Sequence, residues 1–179
     1  MQSRLKKAKF KQQACMEDVD YGAPRKLDKT LLAKLSQCQW VKEHNNVLII
    51  GATGTGKSYM ATALAHKACL EGFRVCYHRM SRLLSDFVIA KGDGRYGRLM
   101  NELAKTDVLI LDDWGIMDLN DANRRDLLEI LDDRHGKLST IVTSQLPIKL
   151  WYESLGDKTL ADAIMDRLVY ACEGVLTEW

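Results

Sequence analysis

Residues 51–58 form a glycine-rich segment that ends in a lysine and a serine, Gly-Ala-Thr-Gly-Thr-Gly-Lys-Ser. Glycines permit positive φ angles and let the backbone approach a ligand closely. Backbone N–H groups at the start of the next helix then converge on a phosphate. The lysine supplies a charge to the β- and γ-phosphates, and the serine hydroxyl can ligate Mg²⁺. This spacing predicts a site for a nucleoside triphosphate and its metal ion.

The flanking residues provide the strand and the helix that such a loop needs. Asn46–Ile50 is a short, apolar, β-branched run, which suits a buried parallel strand. A helical pattern runs over Lys57–Leu70 and stops at Gly72. The residues predicted to bind the nucleotide are Gly51, Ala52, Thr53, Gly54, Thr55, Gly56, Lys57, Ser58 and Tyr59. Lys57 is also predicted to be catalytic, and Ser58 to be a metal ligand.

Two adjacent carboxylates follow another apolar run. Asp112 and Asp113 come directly after Asp107–Leu111, a predicted buried strand. We expect Asp112 to hold Mg²⁺ through its water shell. We expect Asp113 to orient or deprotonate the attacking water. The alternative is a solvated turn or a helix cap, which the apolar strand and the preceding loop make the weaker interpretation.

Two further polar positions are candidates for the same chemistry. Gln145 ends the tripeptide Thr143-Ser144-Gln145, which follows the predicted strand Leu138–Thr143, and can hydrogen-bond the γ-phosphate or the attacking water. A polar strand end is also common without such a role. Arg167 lies on the last predicted helix, where an arginine is more often a surface ion-pair partner. It becomes functional only if subunits assemble so that it reaches a neighbour's γ-phosphate.

Strands alternate with helices along the chain. The predicted strands cover residues 46–50, 73–78, 107–111, 138–143 and 175–179. The predicted helices cover 27–43, 57–70, a segment capped by Ser81, 96–105, 122–135 capped by Asp121, and 160–172. This alternation predicts an α/β fold, a parallel five-stranded sheet with helices on both faces. Ligands then bind at the carboxyl ends of the strands, where the candidate residues lie.

Composition narrows the classes of protein. The chain has 179 residues, of which 46% are hydrophobic and 28% charged, as in a single globular domain. No run of about 18 apolar residues predicts a membrane span, and the N-terminus lacks the apolar segment of a secretory signal. The five cysteines form no C-x-x-C pair, which predicts reduced thiols in a cytoplasmic protein. The four histidines are scattered and predict no metal site of their own.

The N-terminus carries a cluster of positive charge. Residues 1–26 are polar, contain a turn signal at Gly22-Ala23-Pro24 and predict a linker. Five cations fall within eight residues of it, at Arg4, Lys6, Lys7, Lys9 and Lys11. A solvated tail and an arm that contacts nucleic-acid phosphates are equally consistent with this cluster. Further candidate cations for the same surface are Lys91, Arg95 and Arg98.

Several segments, taken in order and spacing, resemble a known family. They are RLKKAKF, NVLIIGATGTGKS, DVLILDDWG, RRDLLEIL, TSQLP and DAIMDRLVY, which together run from Arg4 to Glu178. They resemble the IstB-like ATP-binding helper proteins of bacterial insertion sequences, relatives of the DnaC-type helicase loaders within the AAA+ ATPases. The resemblance implies a P-loop NTPase of the AAA+ type that uses ATP and Mg²⁺. It further implies homo-oligomers formed with ATP on double-stranded DNA, no membrane association, and cooperation with a transposase in selecting target DNA.

The resemblance also assigns roles by position. Residues 51–58 match the Walker A loop, and Asp112 and Asp113 match the end of Walker B. Asp113 stands where many AAA+ proteins have glutamate, which is one methylene longer. Gln145 matches the sensor position, and Arg167 matches the arginine finger. Family members usually carry a further helical domain before RLKKAKF and a G-E-S-x-R-type tail, so residues 27–179 are expected to form the AAA+ core alone.

Two other functions stay open from the residues. A helicase-loading adaptor would use the same ATPase core, and we expect it to prefer single-stranded DNA. A simple P-loop kinase would need a lid with paired arginines, and the sequence offers no convincing one. The leading interpretation is therefore a DNA-associated ATPase that assists transposition.

Overall fold

The computed structural model describes residues 2–21, 28–170 and 172–176. The strands are β1 (Asn46–Ile50), β2 (Val75–Arg79), β3 (Val108–Trp114), β4 (Ser139–Ser144) and β5 (Cys172–Leu176). The helices are α1 (Gln2–Ala8), α2 (Lys29–Ser36), α3 (Gln39–Lys42), α4 (Lys57–Leu70), α5 (Met80–Asp93), α6 (Tyr96–Lys105), α7 (Asp121–Arg134), α8 (Trp151–Leu155) and α9 (Lys158–Met165). A π-helical turn over Asp166–Tyr170 follows α9.

The five strands form one parallel sheet in the order β2-β3-β4-β1-β5. Parallel neighbours place all their carboxyl ends at one edge, which we call the carboxyl edge, and all their amino ends at the other, the amino edge. Val47 lies opposite Ile141, and Val75 opposite Val108. The predicted α/β fold with a five-stranded parallel sheet is therefore confirmed.

Helices cover both faces of the sheet, because alternate strand residues point to opposite sides. On one face Val47 and Ile49 pack with residues of α1, α2 and α4, including Leu35 and Leu64. On the other face, the core contains the strand residues that alternate with these, such as Leu48, together with residues of α5, α7, α8 and α9. The largest side chains of this second core are Trp114, Trp151 and Phe87.

Several predicted boundaries were wrong for local reasons. The predicted helix over 27–43 is two helices, because Cys38 adopts φ 56° and interrupts the helical path; residue 27 lies outside the described residues. Ser81 lies inside α5, which begins at Met80, so it is no cap. Asn120 rather than Asp121 caps α7, since its side chain accepts the backbone N–H of Asn123 at 2.8 Å.

The strand ends also differ from the prediction. β3 continues to Trp114, so Asp112 and Asp113 lie within the strand rather than after it. Pairing explains the extension, because Asp112 lies opposite Arg79 and Trp114 opposite Ser144. The predicted last helix ends earlier, and β5 follows at Cys172–Leu176; residues 177–179 of the predicted strand lie outside the described residues.

The N-terminal residues belong to the packed structure. A linker was predicted over residues 1–26, but α1 packs against β2 and α4. Ala8, Ala14, Met16 and Val19 are buried in the same core as the sheet. Residues 2–21 therefore do not form a free tail, and residues 22–27 lie outside the described part. Over the part of the chain that is described, no helix is long and apolar enough to cross a membrane.

Candidate nucleotide site

The glycine-rich loop joins β1 to α4 at the carboxyl edge. Gly54 and Gly56 adopt φ 80° and 91°, which are left-handed conformations that favour glycine. Gly51 does not adopt a positive φ; its N–H donates to the Ser144 carbonyl at 3.0 Å and ties the loop to β4. The loop therefore ends at the N-terminus of a 14-residue helix, where free N–H groups and the helix dipole favour phosphate.

The side chain of Lys57 packs against the phosphate loop. Its Nζ donates to the Ala52 carbonyl at 2.8 Å, and only 7% of the residue is exposed. Burial lowers the pKa of Lys57, while the charges of Asp113 and Asp112 act against that change. The ammonium group thus lies inside the curve of the loop, where phosphate oxygens are expected.

Asp112 is the most constrained group of the site. It is 1% exposed and accepts hydrogen bonds from three hydroxyls: Ser58 at 2.8 Å, Thr143 at 2.5 Å and Tyr77 at 2.5 Å. These donors compensate for the lost hydration of a buried carboxylate. Burial, followed by the hydrogen bond to Asp112, raises the pKa of Tyr77, so this hydroxyl stays protonated and donates. Tyr77 was missed from the sequence, where a tyrosine in a strand has no distinguishing signal.

The same geometry fits a magnesium ion. The Ser58 hydroxyl points its hydrogen at Asp112, which leaves its oxygen lone pairs available to a cation. No group of three or more histidine, cysteine, aspartate or glutamate side chains in the described residues is arranged to hold a metal. Mg²⁺ commonly binds through one or two protein ligands together with substrate phosphates. Ser58 and Asp112 are suited to that mode of binding.

Asp113 lies beside Asp112 in an unusual backbone conformation. Its φ is 63°, in the left-handed region, and its N–H donates to the Thr143 hydroxyl at 3.0 Å. Its carboxylate accepts from Nε of Arg79 at 2.7 Å. The structure therefore turns this side chain out of the regular strand alternation and pairs it with a cation at the end of β2. Arg79 was also missed, because the pairing of β2 with β3 is not visible in the sequence.

Gln145, which follows β4, lies beside the phosphate loop. Its Oε1 accepts the hydroxyl of Thr53 at 2.5 Å. Both side chains are exposed at the carboxyl edge. This contact places an amide beside the phosphate loop, where it can meet a γ-phosphate or a water molecule.

Arg167 lies far from these residues. Nε donates to Asp132 on α7 at 2.6 Å, and Nη1 lies 3.3 Å from Asp166. The carbonyl of Arg167 accepts from Asn46, the first residue of β1, at 2.9 Å. Arg167 is therefore at the amino edge, and the structure does not bring it to the loop of its own chain.

The candidate DNA-contacting cations Lys91, Arg95 and Arg98, which lie in α5, before α6 and in α6, are mostly paired. Lys91 donates to Asp126 at 2.7 Å, and Arg95 pairs with Asp93. Arg98 is exposed. Two of these three cations are therefore partly neutralised by their own neighbours.

Comparison with known proteins identifies the family. The family model described as "IstB-like ATP binding protein" matches residues 1–178. A Sinorhizobium fredii protein named as an insertion sequence ATP-binding protein, y4pL, is 51% identical over 168 residues, which are 94% of this chain and 69% of that protein. The corresponding IS1162 protein of Pseudomonas fluorescens is 50% identical over 143 residues, 79% of this chain and 62% of that protein. The chain thus spans about two thirds of the length of these relatives.

Solved structures share the fold at low sequence identity. DnaI is 22% identical with a TM-score of 0.73, covering 89% of this chain and 88% of that chain. The DnaC helicase loader is 19% identical with a TM-score of 0.68, covering 84% and 89%. AMPPCP-bound DnaA from Aquifex aeolicus is 19% identical with a TM-score of 0.69, covering 86% and 48%. The chain has the AAA+ P-loop NTPase fold, and it belongs to the IstB-like ATP-binding protein family.

Proposed function

We propose that this protein hydrolyses ATP as an oligomer on duplex DNA and thereby assists a transposase in choosing or capturing its target. The observation that carries the ATPase part is the contact of the Ser58 hydroxyl with Asp112 at 2.8 Å. It joins the end of the phosphate loop to the acidic end of a neighbouring strand. This pairing of a phosphate cradle with a metal-holding carboxylate is what triphosphate hydrolysis requires.

Each residue has a separate task in the proposed reaction. The N–H groups of residues 51–58 hold the phosphates, and Lys57 transfers its hydrogen bond from the Ala52 carbonyl to the phosphate oxygens. Ser58 and Asp112 would hold Mg²⁺, which neutralises charge on the transferred phosphoryl group. Asp113 accepts a proton from the attacking water, and Gln145 orients that water or the γ-phosphate.

The names of the relatives and the positive charge of α1 support the proposed role on DNA. The names of the relatives place them in insertion sequences, and such elements move by transposition. Lys6 and Lys7 are exposed on α1 and are suited to contact backbone phosphates without reading sequence. Arg167 is proposed to act on a neighbour's ATP, because it cannot reach its own loop.

A helicase-loader function is the alternative, favoured by the fold shared with the DnaC helicase loader. At 19% identity that likeness concerns the fold alone. The insertion-sequence relatives are 51% and 50% identical over most of this chain. The transposition role is therefore the one that we propose.

Light scattering with ATP and defined DNA tests the proposal. The protein is mixed with ATP and Mg²⁺, and then with either duplex or single-stranded DNA of equal length. We expect large particles only with ATP and mainly on duplex, and none from the Lys57→Ala variant. A preference for single strands would support the loader function instead, and an unchanged monomer under all conditions would contradict both.

A further inference from the structure

A basic cavity lies at the amino edge of the sheet, away from the nucleotide loop. It has a volume of about 270 Å³ and lies where α1 and α6 meet the starts of β2 and β3. Its cationic lining residues are Arg4 and Lys7 of α1, Arg74 before β2 and Lys105 at the end of α6. The nucleotide loop is at the carboxyl edge, so the phosphates of its ATP do not reach this cavity.

Among the described residues, only one of these four cations has an acidic partner. Arg74 is neutralised by Asp107, with Nη2 at 3.2 Å from Oδ1 and Nε at 3.3 Å from Oδ2. Arg4, Lys7 and Lys105 make no ion pair within the described part of the chain. Glu102 also lines the cavity, and its negative charge offsets part of the positive charge of these residues. The three unpaired cations still exceed this one carboxylate.

A second observation, independent of the ion pairs, is that Arg4 has a buried donor without an acceptor. Nε of Arg4 is buried and has no hydrogen-bond partner, and it is the one such side-chain atom among the described residues. Buried charged donors are almost always paired in folded proteins, because an unpaired donor loses its hydration without compensation. Because Arg4 also lines the cavity, an acceptor that enters it would lie beside this guanidinium group.

We propose that this cavity binds a phosphate group, separately from the nucleotide site. Guanidinium and ammonium groups around one point match the several oxygens and the charge of a phosphate. A phosphodiester of a nucleic-acid backbone and free inorganic phosphate share this chemistry. The cavity itself does not depend on the proposed ATPase or on its action with a transposase.

Nuclear magnetic resonance of the Arg4 Nε–H group tests the proposal locally. The resonance is assigned from an Arg4→Lys variant, and the protein is titrated with inorganic phosphate in one arm and with a short duplex in the other. A binding event at the nucleotide loop does not report on this group directly. We expect the Arg4 resonance to shift in a saturable way with phosphate, with duplex, or with both.

Lys105→Ala provides the functional arm, with the exposed Lys137→Ala as a control of equal charge change at the same edge of the sheet. Lys105→Ala should weaken the binding that shifts Arg4 by about tenfold, the scale of one charge-assisted contact. If DNA supplies the phosphate, the slope of log K against log salt should fall by about 0.9. Lys137→Ala should change neither quantity.

The outcomes separate the ligand from the function. Shifts with phosphate and duplex, both weakened in Lys105→Ala, assign the cavity to the DNA backbone. Shifts with phosphate alone assign it to free phosphate, even if the protein binds no duplex and the proposed function fails. No shift of Arg4 in either arm, or equal behaviour of Lys105→Ala and Lys137→Ala, would overturn the proposal.

Discussion

The side chains of the nucleotide site hydrogen-bond with each other and with the phosphate loop. Lys57 is bound to a carbonyl of its own loop, and Asp112 is surrounded by three hydroxyls. Asp113 is held by Arg79. Each of these contacts defines what a single substitution removes, so the roles can be tested one residue at a time.

Lys57→Ala should abolish ATP binding or reduce it to the limit of detection. The substitution removes the cation that faces the β- and γ-phosphates, which the backbone N–H groups cannot replace. Binding is measured by calorimetry and turnover by phosphate release. Lys67→Ala, on the same helix and paired with Glu71, is the control and should behave as the parent protein. If Lys57→Ala leaves the ATP affinity and kcat unchanged, residues 51–58 do not form the phosphate-binding loop.

Asp113→Asn should bind nucleotide and fail to hydrolyse it. The amide keeps the size of the side chain but cannot accept the proton of water, and the expected loss of kcat is about 10²-fold or more. Asp112→Asn should instead lose the metal-dependent part of binding, which is measured by titrating Mg²⁺ at fixed ATP. If both variants hydrolyse ATP at the parent rate, the division of roles between the two carboxylates is wrong.

Tyr77→Phe should destabilise the folded protein by about 1.5–3 kcal/mol, the usual range for a hydrogen bond to a charged group. The ring that packs in the core is kept, and only the hydroxyl that donates to buried Asp112 is lost. Urea unfolding measures the change. Tyr59→Phe is the control, since Tyr59 is half-buried and its hydroxyl makes no hydrogen bond in the described structure. Equal stability of the two variants would show that Asp112 does not need this donor.

At the scale of elements, local patterns predicted the units that carry the loop. β1, α4 and α6 have the predicted bounds, because an apolar run, a glycine loop and helical periodicity are all local signals. The positions of Tyr77 and Arg79 beside the two carboxylates could not be predicted, since they depend on the pairing of β2 with β3. Neither could the left-handed backbone of Cys38 and Asp113, which the surrounding packing imposes on non-glycine residues.

The end of β2 should make stability depend on pH below neutrality. Burial, followed by the charge of Lys9, lowers the pKa of His78, while Asp86 and Glu102 act in the opposite direction. Cys76 Sγ lies 3.1 Å from Nε2 of His78, and burial raises the pKa of this thiol to about 11, so it can donate to an uncharged imidazole. Protonation of the imidazole would end that contact.

The direction of this pH dependence follows from the different pKa values of His78 in the folded and unfolded states. The unfolded chain protonates this histidine near its ordinary pKa of about 6.5, and the folded protein does so only at lower pH. Between those values the unfolded state binds more protons, so the free energy of unfolding falls as pH falls. Thermal unfolding from pH 7.5 to 5 should show this decrease, and His78→Gln should flatten it. His44→Gln, at an exposed position, should leave the pH profile as in the parent, and an equally steep profile in His78→Gln would contradict the prediction.

At the scale of the whole molecule, the proposed roles of the loop and of Arg167 require more than one copy. Arg167→Ala should fold and bind ATP normally, yet lower the ATPase rate of assembled protein by roughly 10³-fold, as for an arginine acting in trans. Mixing Arg167→Ala with Lys57→Ala should restore part of the rate, because one variant retains the site and the other retains the arginine. If no mixing ratio restores activity, Arg167 is only the partner of Asp132 and Asp166.

The placement of Arg167 and the loop at opposite edges of one sheet also gives an assembly a direction. If Arg167 acts in trans, a contact that joins the amino edge of one copy to the carboxyl edge of the next is head-to-tail, and such contacts continue until a ring closes. In an open row, the ATP of the last copy is not reached by the Arg167 of a neighbour. Two copies in a row can therefore hydrolyse ATP at one site, while the ATP at the other site stays intact. The rate per copy then rises with the length of the row, and the unhydrolysed nucleotide marks its end.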